Sequence, residues 1–141
     1  ITFYVLAGGL SLAAFIVSLP TAFLVGSILL VNNTCDMVGD RRAGRKTFAI
    51  LAGGPVAELF VYVGGAAAYG LLLLSVHRGL LPQTVCYTAA PVILVTIVRY
   101  VRMHRRGYNH DTKVVNMKSI VAIYLLYGIQ LIVALLIVTL Y

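Results

Sequence analysis

Charge is scarce in this chain. Of its 141 residues only 11% are charged, with 11 Lys+Arg against 4 Asp+Glu. An ordinary soluble domain carries about 25%. With 61% of residues hydrophobic, that scarcity excludes a soluble globular domain and a disordered chain. It also excludes a nucleic-acid-binding module with a solvated basic face. The net charge of +7 therefore reads as a topology signal at a membrane surface. Cysteine is scarce too: Cys35 and Cys86 make neither a disulfide framework nor a Cys-rich metal site. The opening residues, from Ile1 inside an apolar run, lack the basic n-region and cleavage site of a secretory signal. A start without Met reads as a fragment or a processed piece.

What the chain has is long apolar runs. Crossing a hydrocarbon core of about 30 Å takes about 20 apolar residues. Spans are expected at about 12–33, 55–76, 84–102 and 119–141. Pro20 interrupts the first and is expected to kink it. A shorter piece, Ile1 to Ala7, ends at Gly8-Gly9 and reads as the stump of a preceding helix. Ser11 is a candidate cap for the next one, and Pro55 suits the first turn of the second span. Within that span Gly64/Ala68 and Ala66/Gly70 are small-xxx-small pairs, which let helices approach closely. The expected fold is all-α: a polytopic membrane helix bundle of four transmembrane helices plus an N-terminal stump, one domain over 1–141.

Three polar connectors separate the spans. The first holds Arg41, Arg42, Arg45 and Lys46; the third, with its flank, holds Arg99, Arg102, Arg105, Arg106, Lys113 and Lys118; the second holds only Arg78. Ten of the eleven basic residues thus fall on one side of four alternating spans. The positive-inside rule makes that side cytoplasmic. Loops 32–47 and 102–118 are expected in the cytoplasm of a multi-pass cell-membrane protein, with the C-terminus outside. Cys35 and Cys86 then lie at opposite faces and cannot pair within one chain.

The chemistry concentrates between Asn32 and Thr47. Asp36 and Asp40 are spaced i, i+4. On a helix continuing from the span they share one face, with Cβ atoms about 5–6 Å apart. Like charges so close repel mildly, and a divalent cation removes that penalty. Mg²⁺ prefers hard oxygen ligands, often one or two carboxylates plus substrate phosphate. Asn32 and Asn33 sit one turn earlier. Arg41, Arg42, Arg45 and Lys46 follow at once, and arginine forks and a lysine charge suit phosphate oxygens. One short segment thus offers both halves of a metal–diphosphate site. The plainer reading is a basic topology signal with two solvated acids.

The run Asn32-Asn33-x-x-Asp36-x-x-x-Asp40-x-x-x-Gly44-Arg45-Lys46-Thr47 resembles the second aspartate motif of the UbiA family of integral-membrane prenyltransferases. It is most similar to the branch that prenylates 1,4-dihydroxy-2-naphthoate in menaquinone synthesis. The resemblance implies the C-terminal half of a nine-helix bundle. It implies transfer of a polyprenyl group from an allylic diphosphate to an aromatic acceptor, within the lipid bilayer. It further implies Mg²⁺ on Asp36 and Asp40, with Arg41, Arg45, Lys46, Asn32 and Asn33 toward the diphosphate. The family's first motif, N-D-x-x-D-x-x-x-D, has no match in this chain, so the chain alone is expected to be inactive. Aromatic faces can shield an allylic cation, and Tyr100, Tyr108, Tyr124 and Tyr127 are open candidates. Interfacial anchoring or packing is the plainer role for each.

Other polar residues receive plainer readings. Glu58 is either a functional intramembrane acid or one that reaches the interface or pairs with a basic residue. Gln130 is expected to hydrogen-bond a neighbouring helix, and Arg99 and Arg102 to snorkel. His104, His110 and Asp111 match no zinc spacing and read as a solvated loop. Asp111-Thr112 is a candidate start for the last helix or for a turn before it. Two other readings compete. A non-enzymatic membrane protein, such as a transporter half or assembly subunit, explains the composition but not the convergence of acids, amides and cations on one connector. A CDP-alcohol phosphatidyltransferase also uses spaced aspartates, but its longer D-G-x-x-A-R…G-x-x-x-D-x-x-x-D pattern is absent.

Overall fold

The computed structural model describes residues 2–140, with side chains from Tyr4 onward. Seven helices run in order: α1 (Thr2–Ala7), α2 (Leu12–Cys35), α3 (Met37–Arg42), α4 (Phe48–Ala52), α5 (Gly54–His77), α6 (Thr84–Arg106) and α7 (Lys113–Leu140). Four of them, α2, α5, α6 and α7, are long and apolar enough to cross a membrane, as the apolar runs demand. The expected stump is α1; its first residue Ile1, and the Tyr141 end of the last span, lie outside the described residues.

Local signals set several ends. Ser11 caps α2 by accepting the Ala14 N–H at 3.3 Å, and Thr47 caps α4 by accepting that of Ile50 at 3.3 Å. Gly53 joins α4 to α5 at φ +87° and Gly107 ends α6 at φ +76°; residues with a side chain rarely adopt that backbone. Pro55 sits in the first turn of α5. Pro20 is carried inside a continuous α2 and does not interrupt it.

Two boundaries differ from the expected ones. α6 runs on to Arg106 and α7 begins at Lys113, so the third connector shrinks to residues 107–112. The apolar run marks only the part of a helix that sits in lipid. Residues 113–118 contain no breaker, and outside the hydrocarbon a helix can continue with polar side chains.

α2 packs most extensively on α5, and α6 on α7; α2 against α7 joins the two pairs, while α5 and α6 touch less. Close approach of α2 and α5 depends on Gly64, where an added Cβ would stand 2.7 Å from the Ser27 Oγ. Gly64 and Ala68 are buried in this seam, whereas Ala66 and Gly70 face outward. Only the first small-residue pair is used between helices described here. Thr88 Oγ1 donates to Gln130 Oε1 at 2.8 Å, tying α6 to α7. Tyr127 is buried edge-on to Tyr69, with ring centroids 6.0 Å apart, and is a packing residue. Arg102 is exposed, as snorkelling requires, but Arg99 is half-buried.

Candidate functional site

α2 ends at Cys35, and Asp36 steps out of helical geometry at φ −110°, ψ 16° before α3 begins. The expected continuous helix through both acids is therefore broken at the first of them. The Asp40 N–H still bonds the Asp36 carbonyl at 2.9 Å, so one turn of spacing survives. The side chains go to different partners. Asp36 Oδ2 accepts from Lys113 Nζ at 2.7 Å, and His110 Nδ1 lies 3.7 Å from Oδ1. Asp40 is 4% exposed and accepts from Arg45 Nη1 at 3.0 Å. Arg45 also closes the turn, its N–H on the Asp40 carbonyl at 2.9 Å.

Beside Asp36 opens a cleft of about 650 Å³. One wall is the end of α2 and α3, with Thr34, Asp36, Gly39, Arg41 and Arg42; the other is the α6–α7 loop, with Tyr108, Asn109, His110 and Asp111. Gly39 helps to shape it, because a Cβ there would stand 2.7 Å from Asp36 Oδ1. The hydrogen bond from Lys113, ahead of the charges of Lys113 and His110, holds the Asp36 carboxyl below its ordinary range, against a smaller opposing effect of burial. Burial pushes the Tyr108 phenol up to about 12, so it stays protonated at neutral pH.

The remaining expected site residues do not all gather at this cleft. Arg41 and Arg42 line it and are exposed; Arg45 and Lys46 are exposed on the following turn. Asn33 lines a separate apolar groove with Phe48 and Phe60, and Asn32 is half-buried within α2. Neither asparagine is among the residues lining the cleft.

The family model described as the UbiA prenyltransferase family matches residues 1–126. The chain belongs to that family. A curated relative, the 1,4-dihydroxy-2-naphthoate octaprenyltransferase of Bacillus subtilis (strain 168), is 38% identical over 69 residues, which are 49% of this chain and 22% of that protein. No solved structure matches the chain.

In this UbiA chain the residues that composition and spacing did not single out come from the far side of the cleft. Lys113 and His110 reach Asp36 from 77 and 74 positions away. Asn116 is buried, donates to the Gly107 carbonyl at 2.9 Å and accepts from Arg106 Nη1 at 3.2 Å, fixing the loop that carries Tyr108 to His110. No local pattern marks any of them; Lys113 counts in the sequence only as one more topology cation. Glu58 takes the pairing role: it accepts from Tyr62 at 2.6 Å and lies 2.7 Å from His104 Nδ1. His104 is thus engaged, not merely solvated.

The donor set agrees with Mg²⁺ on one count. A single carboxylate with water and phosphate oxygens is an ordinary Mg²⁺ shell, and Asp36 lines the cleft as such a carboxylate. Asp40 is turned to Arg45 instead. Among the described residues no three His, Cys, Asp or Glu side chains cluster as metal ligands.

Proposed function

We propose that this UbiA chain forms part of a membrane enzyme that transfers a polyprenyl group from an allylic diphosphate to an aromatic acceptor, 1,4-dihydroxy-2-naphthoate. The observation that carries this reading is the cleft where the Asp36 carboxylate stands beside Arg41 and Arg42. One carboxylate for a metal and two guanidinium forks for phosphate oxygens are what a diphosphate leaving group needs. The naphthoate acceptor is supported by the name of the Bacillus subtilis relative and by the flanks of the aspartate motif.

In this reading Asp36 holds Mg²⁺, which supplies Lewis-acid stabilisation of the departing diphosphate. Arg41 and Arg42 orient the diphosphate and take up charge as the allylic C–O bond breaks. Asp40 acts through Arg45, holding its guanidinium at the turn beside the cleft. The basic connectors face the cytoplasm, and the prenyl chain lies among the apolar helices. The alternative of a non-enzymatic helix bundle leaves the gathering of Arg41 and Arg42 beside Asp36 on one cleft without a role.

The test is prenyl transfer by the intact protein in membranes, with labelled polyprenyl diphosphate, Mg²⁺ and either 1,4-dihydroxy-2-naphthoate or 4-hydroxybenzoate. Product from the naphthoate alone is expected. Product from 4-hydroxybenzoate alone would overturn the acceptor, and no transfer to any aromatic ring would overturn the reading.

A further inference from the structure

We propose that Lys113 occupies the metal's place at Asp36 while the cleft is empty and becomes a diphosphate ligand when the cleft fills; this rests on the function proposed above. Lys113 Nζ lies 2.7 Å from Asp36 Oδ2, and the two side chains are 26% and 27% exposed. The ammonium therefore sits on a carboxylate that lines the cleft beside Arg41 and Arg42, not on a remote surface acid. His110 adds a second nitrogen 3.7 Å from Oδ1. A carboxylate oxygen bonded to an ammonium competes poorly for a divalent ion, so Lys113 and Mg²⁺ are rivals for Asp36. Donor diphosphate decides the contest, because its oxygens complete the metal shell and at the same time offer Lys113 a new anion.

The geometry suits such an exchange. Lys113 stands in the first turn of α7, immediately after the loop that walls the cleft. Its ammonium is a point charge with three donors on a flexible four-carbon stem, so it can leave Asp36 for an anion bound in the cleft that Asp36 lines. A purely structural role, tying α7 to the end of α2, predicts something else. Removal of the lysine would then lower stability and leave cation affinity alone.

The experiment uses the intact protein in detergent, with Mn²⁺ as the metal probe and farnesyl S-thiolodiphosphate as an unreactive donor probe. In Lys113→Gln, Mn²⁺ alone should bind about threefold tighter, the scale of a partly exposed ion pair lost as a competitor. The donor probe with Mg²⁺ should bind about tenfold weaker, through loss of a charge-assisted contact. Lys113→Arg, which keeps the charge, should retain wild-type values for both. Opposite signs in the two assays support the exchange. Unchanged Mn²⁺ affinity, or weakening of both ligands alongside a lower melting temperature, overturns it. If the wild-type protein failed to bind the donor probe with Mg²⁺, the proposed function would fall first, and the exchange with it.

Discussion

Glu58 Oε1 of α5 and His104 Nδ1 of α6 meet at 2.7 Å across 46 positions of sequence. Tyr62 donates to the same oxygen at 2.6 Å, and Tyr108, from the cleft wall, donates to Tyr62 at 3.3 Å. Together with the Tyr69–Thr96 hydroxyl contact at 2.9 Å and the Tyr62–Tyr100 ring pair at 5.4 Å, this cluster clamps α5 to α6, and through Tyr108 it steadies the loop that forms one side of the cleft.

The two ends of that clamp should differ in weight. His104 is 70% exposed, and an exposed ion pair contributes about 0–1 kcal/mol. Glu58 satisfies the half-buried Tyr62 as well. Glu58→Leu should therefore cost about 1–2 kcal/mol, the lower part of the scale for stranding a donor, since Tyr62 is half-buried, and His104→Ala less than about 1 kcal/mol. Thermal unfolding in detergent measures both. Equal losses would show that Tyr62 does not depend on Glu58.

The clamp also shows how far the sequence is legible. The four spans are readable because lipid requires unbroken apolar runs, and the Gln130 contact because a mid-span amide must find a partner. The ends of α6 and α7 are not readable, since a helix that leaves the membrane no longer needs apolar residues. At the candidate site, Asp36, Arg41 and Arg42 are marked by their clustering, and the cleft gathers those three. Lys113 and His104 lie far in sequence from their acids, and only the packing of α7 and α6 joins them. The i, i+4 spacing of Asp36 and Asp40 is real but misleads about direction, because Asp36 leaves the helix and each acid takes its own cation.

Gly64 lets α2 and α5 approach closely. A Cβ at Gly64 would stand 2.7 Å from Ser27 Oγ and 3.7 Å from the Phe23 carbonyl. Gly64→Ala should cost about 1–3 kcal/mol as overpacking, despite the better helix propensity of Ala. The clash is with one hydroxyl at the end of a short side chain, so adding Ser27→Ala should recover most of the loss. A double-mutant cycle by thermal unfolding tests this; additive effects would mean that the two positions do not touch.

Acid should release the Asp36–Lys113 tie, and only strong acid. The hydrogen bond from Lys113 lowers the folded pKa of Asp36 below an unfolded value of about 3.9. A depressed carboxyl contributes stability fully above the unfolded value and loses it as pH falls through the folded one. Unfolding followed from pH 7 downward should thus show no loss from this pair until below about pH 4. Lys113→Gln should flatten that acid limb. A loss between about pH 5 and 7 that vanished in Lys113→Gln would contradict the sign of the shift.

The two aspartates should fail in different ways. Asp36 is partly exposed on the cleft and its partners are cations that water can replace, so Asp36→Asn should cost only the small stability of its tie to Lys113 while abolishing prenyl transfer. Asp40 is 4% exposed and its cation comes from Arg45, itself 69% exposed. Arg45→Ala strands a buried carboxylate, which should cost about 1–3 kcal/mol, and it should also reduce transfer by loosening the turn beside the cleft. Measuring melting temperature and turnover on the same preparations separates the cases. Full turnover in Asp36→Asn would remove the metal role from the cleft, and an unshifted melting temperature in Arg45→Ala would remove the buried pair as a structural element. If both variants lost turnover with no change in stability, Arg45 would belong with Arg41 and Arg42 as a direct diphosphate contact, and Asp40 would be the residue that aims it.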